Sequence, residues 1–232
     1  MKIIGLIGGM SWESTVPYYV QINKTVKDRM GGLHSAKLIL YSVDFYEIER
    51  FQRAGNWSAA AELLASAARS LERAGADFLV LCTNTMHKIA PTIESAVEIP
   101  LLHIADPTAA EIKRAGFETV GLLGTRFTME QDFYCERLRA RHGLTVLVPN
   151  SEDREVVHRI IYEELCSGTV VPASRAHYRR VMANLAAKGA EAIILGCTEI
   201  SLLVDQRDSA VPLFDTTRIH AREAAEWALS EG

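Results

Sequence analysis

The residues of this 232-residue sequence with the most obvious chemistry are four cysteines, Cys82, Cys135, Cys166 and Cys197. They form no C-x-x-C pair and lie at least 31 residues apart, which matches neither a disulfide framework nor the clustered ligands of a zinc site. Two of them share a context. Cys82 closes the apolar run Phe78-Leu79-Val80-Leu81 and is followed by Thr83-Asn84-Thr85, while Cys197 closes Ala192-Ile193-Ile194-Leu195-Gly196 and is followed by Thr198-Glu199. In each case the polar residues sit where a helical stretch begins. A thiol beside a helix N-terminus is expected to have a lowered pKa, and the N–H groups there can hold a carboxylate. A lone cysteine at a strand end is usually small core filler, but two in matching settings point to function. Cys135 and Cys166 lie in helical stretches, near Phe133-Tyr134 and Leu165, have no counterparts, and are assigned to packing.

Two like acid/base groups suit one kind of reaction above others. Moving a proton from one face of a carbon to the other needs a base on one side and an acid opposite, with the roles exchanged for the mirror-image substrate. A thiolate and a thiol, matched in intrinsic acidity near pKa ~8.5, meet that need. The reaction is stereoinversion next to a carboxylate, in practice racemisation of an amino acid. The α-proton is a very weak acid, so donors must be aimed at the carboxylate to stabilise the carbanion. Thr83, Asn84, Thr85 and Thr198 are the candidates. Pyridoxal phosphate would need a Schiff-base lysine and a phosphate cradle, and the nearby Lys88 reads as a solvated helix residue. Neither cofactor nor metal is expected.

The elements that must position these groups are legible. Short β-branched runs at 2–8, 36–43, 77–82, 100–104, 118–123, 144–148, 191–196 and 211–214 alternate with helical stretches such as 58–74 and 174–188, each closed by a glycine, Gly75 and Gly189. This is the pattern of α/β folds with parallel sheets. The halves also repeat. Gly5-Leu6-Ile7-Gly8 matches Gly121-Leu122-Leu123-Gly124 at an offset of 116, Cys82-Thr83 matches Cys197-Thr198 at 115, and Ile99-Pro100-Leu101 matches Val211-Pro212-Leu213 at 112, with the acids Asp106 and Asp215 following. The period is too long for a solenoid and implies a duplication. Two similar α/β lobes are therefore expected, with a shared cleft between them.

Other candidates are weaker. Gly5-Leu6-Ile7-Gly8-Gly9 is not the G-x-G-x-x-G dinucleotide fingerprint; it reads as a tight turn delivering Met10-Ser11-Trp12-Glu13 to the cleft, with Gly124-Thr125-Arg126-Phe127-Thr128 as its partner. Thr128 and Gln131 have the spacing of a capping box. His87 either supports the site of Cys82 or caps and packs, and His103 reads as a core histidine. Arg50, Gln52 and Arg53 follow the second strand and could reach a substrate side-chain carboxylate, although arginines there are more often solvated.

Composition removes whole classes. The 25 basic and 29 acidic side chains give a net charge of −4, and no stretch stacks Lys and Arg on one face, which excludes nucleic-acid and membrane-surface partners. No apolar run approaches the roughly 18 residues of a membrane span, and the N-terminus lacks a signal-peptide cleavage pattern. A cytoplasmic protein with small-molecule ligands is expected.

At Gly5-Leu6-Ile7-Gly8-Gly9-Met10-Ser11-Trp12-Glu13-Ser14-Thr15, Cys82-Thr83-Asn84-Thr85-Met86-His87 and Gly196-Cys197-Thr198-Glu199 the sequence resembles the aspartate/glutamate racemase family of cofactor-independent amino-acid racemases, and within it the enterobacterial aspartate/glutamate or broad-specificity members. The resemblance implies two flavodoxin-like lobes related by pseudo-twofold symmetry, with the active-site cleft between them, and a homodimer. The lobes are placed at 1–98 with 212–232 packing back, and at 99–211. It implies proton transfer by Cys82 and Cys197, and substrate contacts from Met10, Gln52, Thr83, Asn84, Thr85, Thr125, Thr128 and Thr198, supported by Ser11, His87 and Glu199. Some aspartate racemases carry a lysine after the helix motif written here Ile161-Tyr162-Glu163-Glu164, where this chain has Leu165; its loss would leave room for neutral substrates such as homoserine. A one-cysteine decarboxylase or cis-trans isomerase of the same superfamily, and a non-catalytic sensor, are the alternatives.

Overall fold

The computed structural model describes residues 1–230. The described residues divide into two compact units, Met1–His103 with 220–230, and Ile104–Ile219. All eight apolar runs form strands. In the first unit β1 (Ile4–Gly8), β2 (Leu38–Ser42), β3 (Phe78–Leu81) and β4 (Leu101–Leu102) make a parallel sheet of order β2-β1-β3-β4. Around it run α1 (Trp12–Met30), α2 (Phe45–Arg53), α3 (Trp57–Arg73) and α4 (Ala90–Glu94). The second unit begins with α5 (Ala105–Arg114). It then builds β5 (Thr119–Gly124), α6 (Arg126–Glu130), α7 (Asp132–Glu136), β6 (Thr145–Leu147), α8 (Ser151–Glu163), α9 (Pro172–Ala187), β7 (Ala192–Gly196), α10 (Ile200–Leu203) and β8 (Leu213–Asp215), with parallel strand order β6-β5-β7-β8. The final helix, α11 (Thr216–Leu229), starts in the second unit and continues in the first.

The identical strand order of the two sheets is the structural form of the repeat. Each central strand is buried on both faces, as parallel sheets require. In the first unit Ile4, Leu6, Phe78 and Val80 pack against α1 and the alanines of α11, whereas Ile7, Leu79 and Leu81 pack against α3. In the second, Val120, Leu122, Ala192 and Ile194 pack against α5 and α7, whereas Leu123, Ile193 and Leu195 pack against α8 and α9. The helix after β4 thus packs on the second sheet and the helix after β8 on the first. Among the described residues no helix is long and apolar enough to cross a membrane.

Candidate active site

Cys82 lies one residue past β3 and still follows its ladder, its N–H donating to the Ile7 carbonyl at 2.9 Å. Alternation carries its side chain to the face of Phe78 and Val80, where it is fully buried in the cluster of Tyr18 and Ala221. The backbone then turns into a short 3-10 helix, Thr85–Ile89, with Asn84 at its N-cap. Thr83, Asn84, Thr85 and His87 are all buried there. His87 Nδ1 donates to the Thr83 carbonyl at 2.7 Å, which ties the helix back to the turn that holds the cysteine.

The glycine turn is fixed by α1. Gly9 has φ +89°, and a Cβ there would lie 2.3 Å from the Val43 carbonyl oxygen, so only glycine fits. Its N–H donates to Thr15 Oγ1 at 2.8 Å, Thr15 in turn donates to the Ser11 carbonyl at 2.8 Å, and the Ser11 hydroxyl caps α1 by accepting from the Ser14 N–H. Met10 packs with Ile48 and Met86, and Gln52 Nε2 donates to Met86 Sδ at 3.0 Å. Met10, Gln52 and the Cys82 turn are thereby brought together. Arg50 and Arg53 remain exposed, Arg53 paired with Glu49 at 2.7 Å, as expected of solvated helix arginines.

In the second unit Cys197 also lies one residue past its strand, but it is not the ladder equivalent of Cys82. Ile4 pairs with Phe78 and Val120 with Ala192, so a chain aligned at Gly5 and Gly121 places Gly196, not Cys197, opposite Cys82. One residue of slip moves a side chain to the other face of a sheet. Cys197 packs with Ile193 and Leu195 toward α8, α9 and α10, in the cluster of Tyr178. The reason lies at Gly196, where a Cβ would stand 2.8 Å from both Leu122 Cδ1 and the Leu123 carbonyl oxygen. No thiol fits at that position.

The polar partners differ as well. Cys197 Sγ–H donates to Glu199 Oε2 at 3.0 Å, and the Thr198 hydroxyl donates to the same oxygen at 2.6 Å. Thr125 and Thr128 meet at 3.2 Å between hydroxyls. Thr125 is the N-cap of α6 and accepts from the Thr128 N–H. The capping box expected from Thr128 and Gln131 does not form. Thr125 already occupies the extended cap position at the strand end, and the buried Gln131 Oε1 has no hydrogen-bond partner.

The expected lowering of the two thiol pKa values is overturned. Burial pushes the Cys82 thiol up, and burial followed by the Glu199 carboxylate and Cys166 pushes the Cys197 thiol up as well. The elements after them are a five-residue 3-10 turn and the four-residue α10, too short to sum an appreciable dipole, so desolvation wins. Cys166, assigned to packing, does pack half-buried against the cluster of Cys197, and it is one of the groups that push the Cys197 thiol up. Tyr178, in the same cluster, has its hydroxyl pushed up by burial and then by Cys197, Glu164, Cys166 and Glu199. Tyr178 and Cys166, like Tyr18 and His220 around Cys82, carry no local motif; only the fold brings them to the site. None of the four cysteines forms a disulfide. Among the described residues no group of three or more His, Cys, Asp and Glu side chains is arranged to hold a metal ion.

Comparison with known proteins agrees with this architecture. A candidate Asp/Glu racemase from Yersinia pestis is 61% identical, with 99% of this chain and 100% of that one covered at a TM-score of 0.92. An aspartate racemase homologue from Pyrococcus horikoshii is 38% identical, with 99% and 100% covered at a TM-score of 0.85. The broad specificity amino-acid racemase RacX of Bacillus subtilis is 23% identical over 98% of this chain and 99% of its own length. The family model for Asp/Glu/Hydantoin racemase matches residues 7–224. Paired α/β units with one strand order, the C-T-N-T-M-H and G-C-T-E turns, and a match across almost the whole length make one conclusion: this chain belongs to the Asp/Glu/Hydantoin racemase family, a family of isomerases.

Proposed function

We propose that the chain racemises amino acids without a cofactor by a two-base mechanism in which Cys82 and Cys197 exchange one proton with opposite faces of the substrate Cα. The observation that carries this reading is the pair of buried thiols at the C-terminal ends of β3 and β7, the central strands where α/β sheets bind ligands. One cysteine, as thiolate, takes the α-proton; the other, as thiol, delivers its own proton to the opposite face. The roles are then exchanged, which readies the enzyme for the other enantiomer. Raised thiol pKa values suit this scheme. A buried thiolate in apolar surroundings is strongly basic, and the substrate ammonium favours its formation only when substrate is bound.

Aspartate and glutamate are the first substrates proposed, with neutral amino acids such as homoserine as the broader class. Met10, Gln52, Thr83, Asn84 and Thr85 of the first unit, and Thr125, Thr128 and Thr198 of the second, would hold the substrate, with Ser11, His87 and Glu199 in support. Glu199 would fix the Cys197 thiol, since its carboxylate accepts from both Cys197 and Thr198. We further propose a homodimer through α1. Trp12, Val16, Tyr19 and Val20 share one face of that helix and stand 65%, 50%, 54% and 41% exposed. A second copy can cover such a face because a twofold contact uses the same patch twice. Tyr19→Asp would then lower the mass seen by light scattering.

The test is a chiral assay of an amino-acid panel in D₂O, with no cofactor added. One solvent deuterium should enter Cα per inversion. Inversion without deuterium entry would sink the two-base scheme, and loss of activity on changing only one of the two cysteines would favour the one-cysteine decarboxylase or isomerase.

A further inference from the structure

The first unit holds a buried aromatic core around the supporting His87, and the two-base scheme gives its other members no role. Its members are Tyr18 on α1, His87 in the 3-10 helix, His103 at the end of β4 and His220 on α11, which are 0%, 2%, 5% and 0% exposed. His220 Nε2 faces the Leu102 carbonyl oxygen at 2.9 Å and must donate to it, which leaves Nδ1 to accept from the Tyr18 hydroxyl at 2.9 Å. The His87 ring lies edge-on to His103 at 4.4 Å and to His220 at 6.0 Å between centroids. At its other end His87 donates from Nδ1 to the Thr83 carbonyl at 2.7 Å. Side chains from four elements are thus linked to His87, which is bonded to the residue directly after Cys82. Three imidazoles buried together are costly unless each has a defined hydrogen-bonding role. Leucines would fill the same volume at lower cost.

We infer that Tyr18, His220 and His103 form a frame that holds His87 in one orientation and tautomer, and that His87, through the Thr83 carbonyl, positions the Cys82 turn for proton transfer. His87 is a positioning residue here, acting through Thr83 and not on the substrate. The second unit has no such frame at Cys197, which Glu199 holds directly by a carboxylate contact. The two thiols are therefore held by different devices. The inference rests on the two-base reading, and the experiment separates the two: failure of wild-type protein to exchange the α-proton of any amino acid would overturn the reading itself.

The experiment measures kcat, KM and the primary isotope effect of Cα-deuterated substrate from each enantiomer, for wild type, His87→Asn, His87→Leu and Tyr18→Phe. His87→Leu should lower kcat on the order of tenfold to a hundredfold with little change in KM, as small misplacements of reacting groups do. His87→Asn, which can still donate to the Thr83 carbonyl, should recover most of it. A misplaced Cys82 slows only its own step. The isotope effect should then rise from the enantiomer whose proton Cys82 removes and fall from the other, where Cys197 removes the deuteron and Cys82 only returns a solvent proton. Tyr18→Phe should show the same asymmetry at smaller size. A folded His87→Leu variant with wild-type kcat, or with isotope effects shifted alike from both enantiomers, would overturn the proposal. If His87→Leu does not fold, unchanged or symmetric isotope effects in Tyr18→Phe would overturn it instead.

Discussion

The turn that carries Cys82 and the turn that carries Cys197 follow corresponding strands of two sheets with one strand order, yet they solve the problem of holding a thiol differently. At Cys82 the side chain belongs to the face covered by α1 and α11, is fully buried and donates weakly to the Val80 carbonyl at 3.8 Å. At Cys197 it belongs to the opposite kind of face, retains 8% exposure and rests against the Glu199 carboxylate. Gly196 occupies the position that would make the copies equivalent, and the Leu123 carbonyl leaves it no room for a side chain. Backbone hydrogen bonding gives the two sheets the same ladder. Side-chain chemistry at the strand ends is under no such constraint and diverges.

Variants can break this comparison or sharpen it. The largest effect should come from Cys82→Ala and Cys197→Ala, each reducing turnover on the order of a thousandfold, the usual contribution of general acid–base catalysis; chiral chromatography of the products reads it. Equal necessity of both thiols would confirm that unlike settings serve one reaction. Glu199→Gln should lower turnover about tenfold to a hundredfold and move the alkaline limb of the rate profile to lower pH. The sign follows from the carboxylate, whose negative charge helps hold the Cys197 thiol pKa up. Removing a neighbouring carboxylate should not do the same for Cys82, whose pKa is raised by burial.

Smaller effects fall on stability. Gly196→Ala should cost about 1 to 3 kcal/mol by overpacking, measured by urea unfolding, whereas Cys82→Ala at the ladder-equivalent position keeps a Cβ the fold already accommodates. Both thiols have folded pKa values raised above the ordinary 9.0. Folding therefore favours their protonated forms, so their contribution is intact below about pH 9 and is lost as pH rises beyond it. Melting temperatures taken from pH 7 to 10 should fall, and fall less steeply in either Cys→Ala variant. The smallest change expected is that of Thr125→Ala, which removes the α6 cap at a cost of about 1 kcal/mol and leaves the first unit untouched.

Much of the fold was legible because its signals are local. Apolar β-branched runs marked all eight strands, and Gly75 and Gly189, each with positive φ, closed the helices before β3 and β7. The candidate site was legible in part. Cys82, Thr83, Asn84, Thr85 and His87 are contiguous, as are Cys197, Thr198 and Glu199, so a motif shows them together. Gln52 and Met86 are 34 residues apart, Tyr18 and His220 are 202 apart, and no local pattern joins them. The thiol acidity also ran opposite to the local expectation, since a helix N-terminus is visible in sequence and full burial is not.

The sequence by itself determined the element order, the repeat of strand order and the two cysteines at the ends of the central strands, because periodicity, turn residues and strand ends are properties of neighbouring residues. Only the tertiary structure decided which face each thiol takes, what charge or hydrogen bond meets it and in which direction its pKa moves. Those depend on ladder register and on burial by distant helices. A single residue of register, forced by the closed space at Gly196, separates two cysteines that the sequence presents as copies.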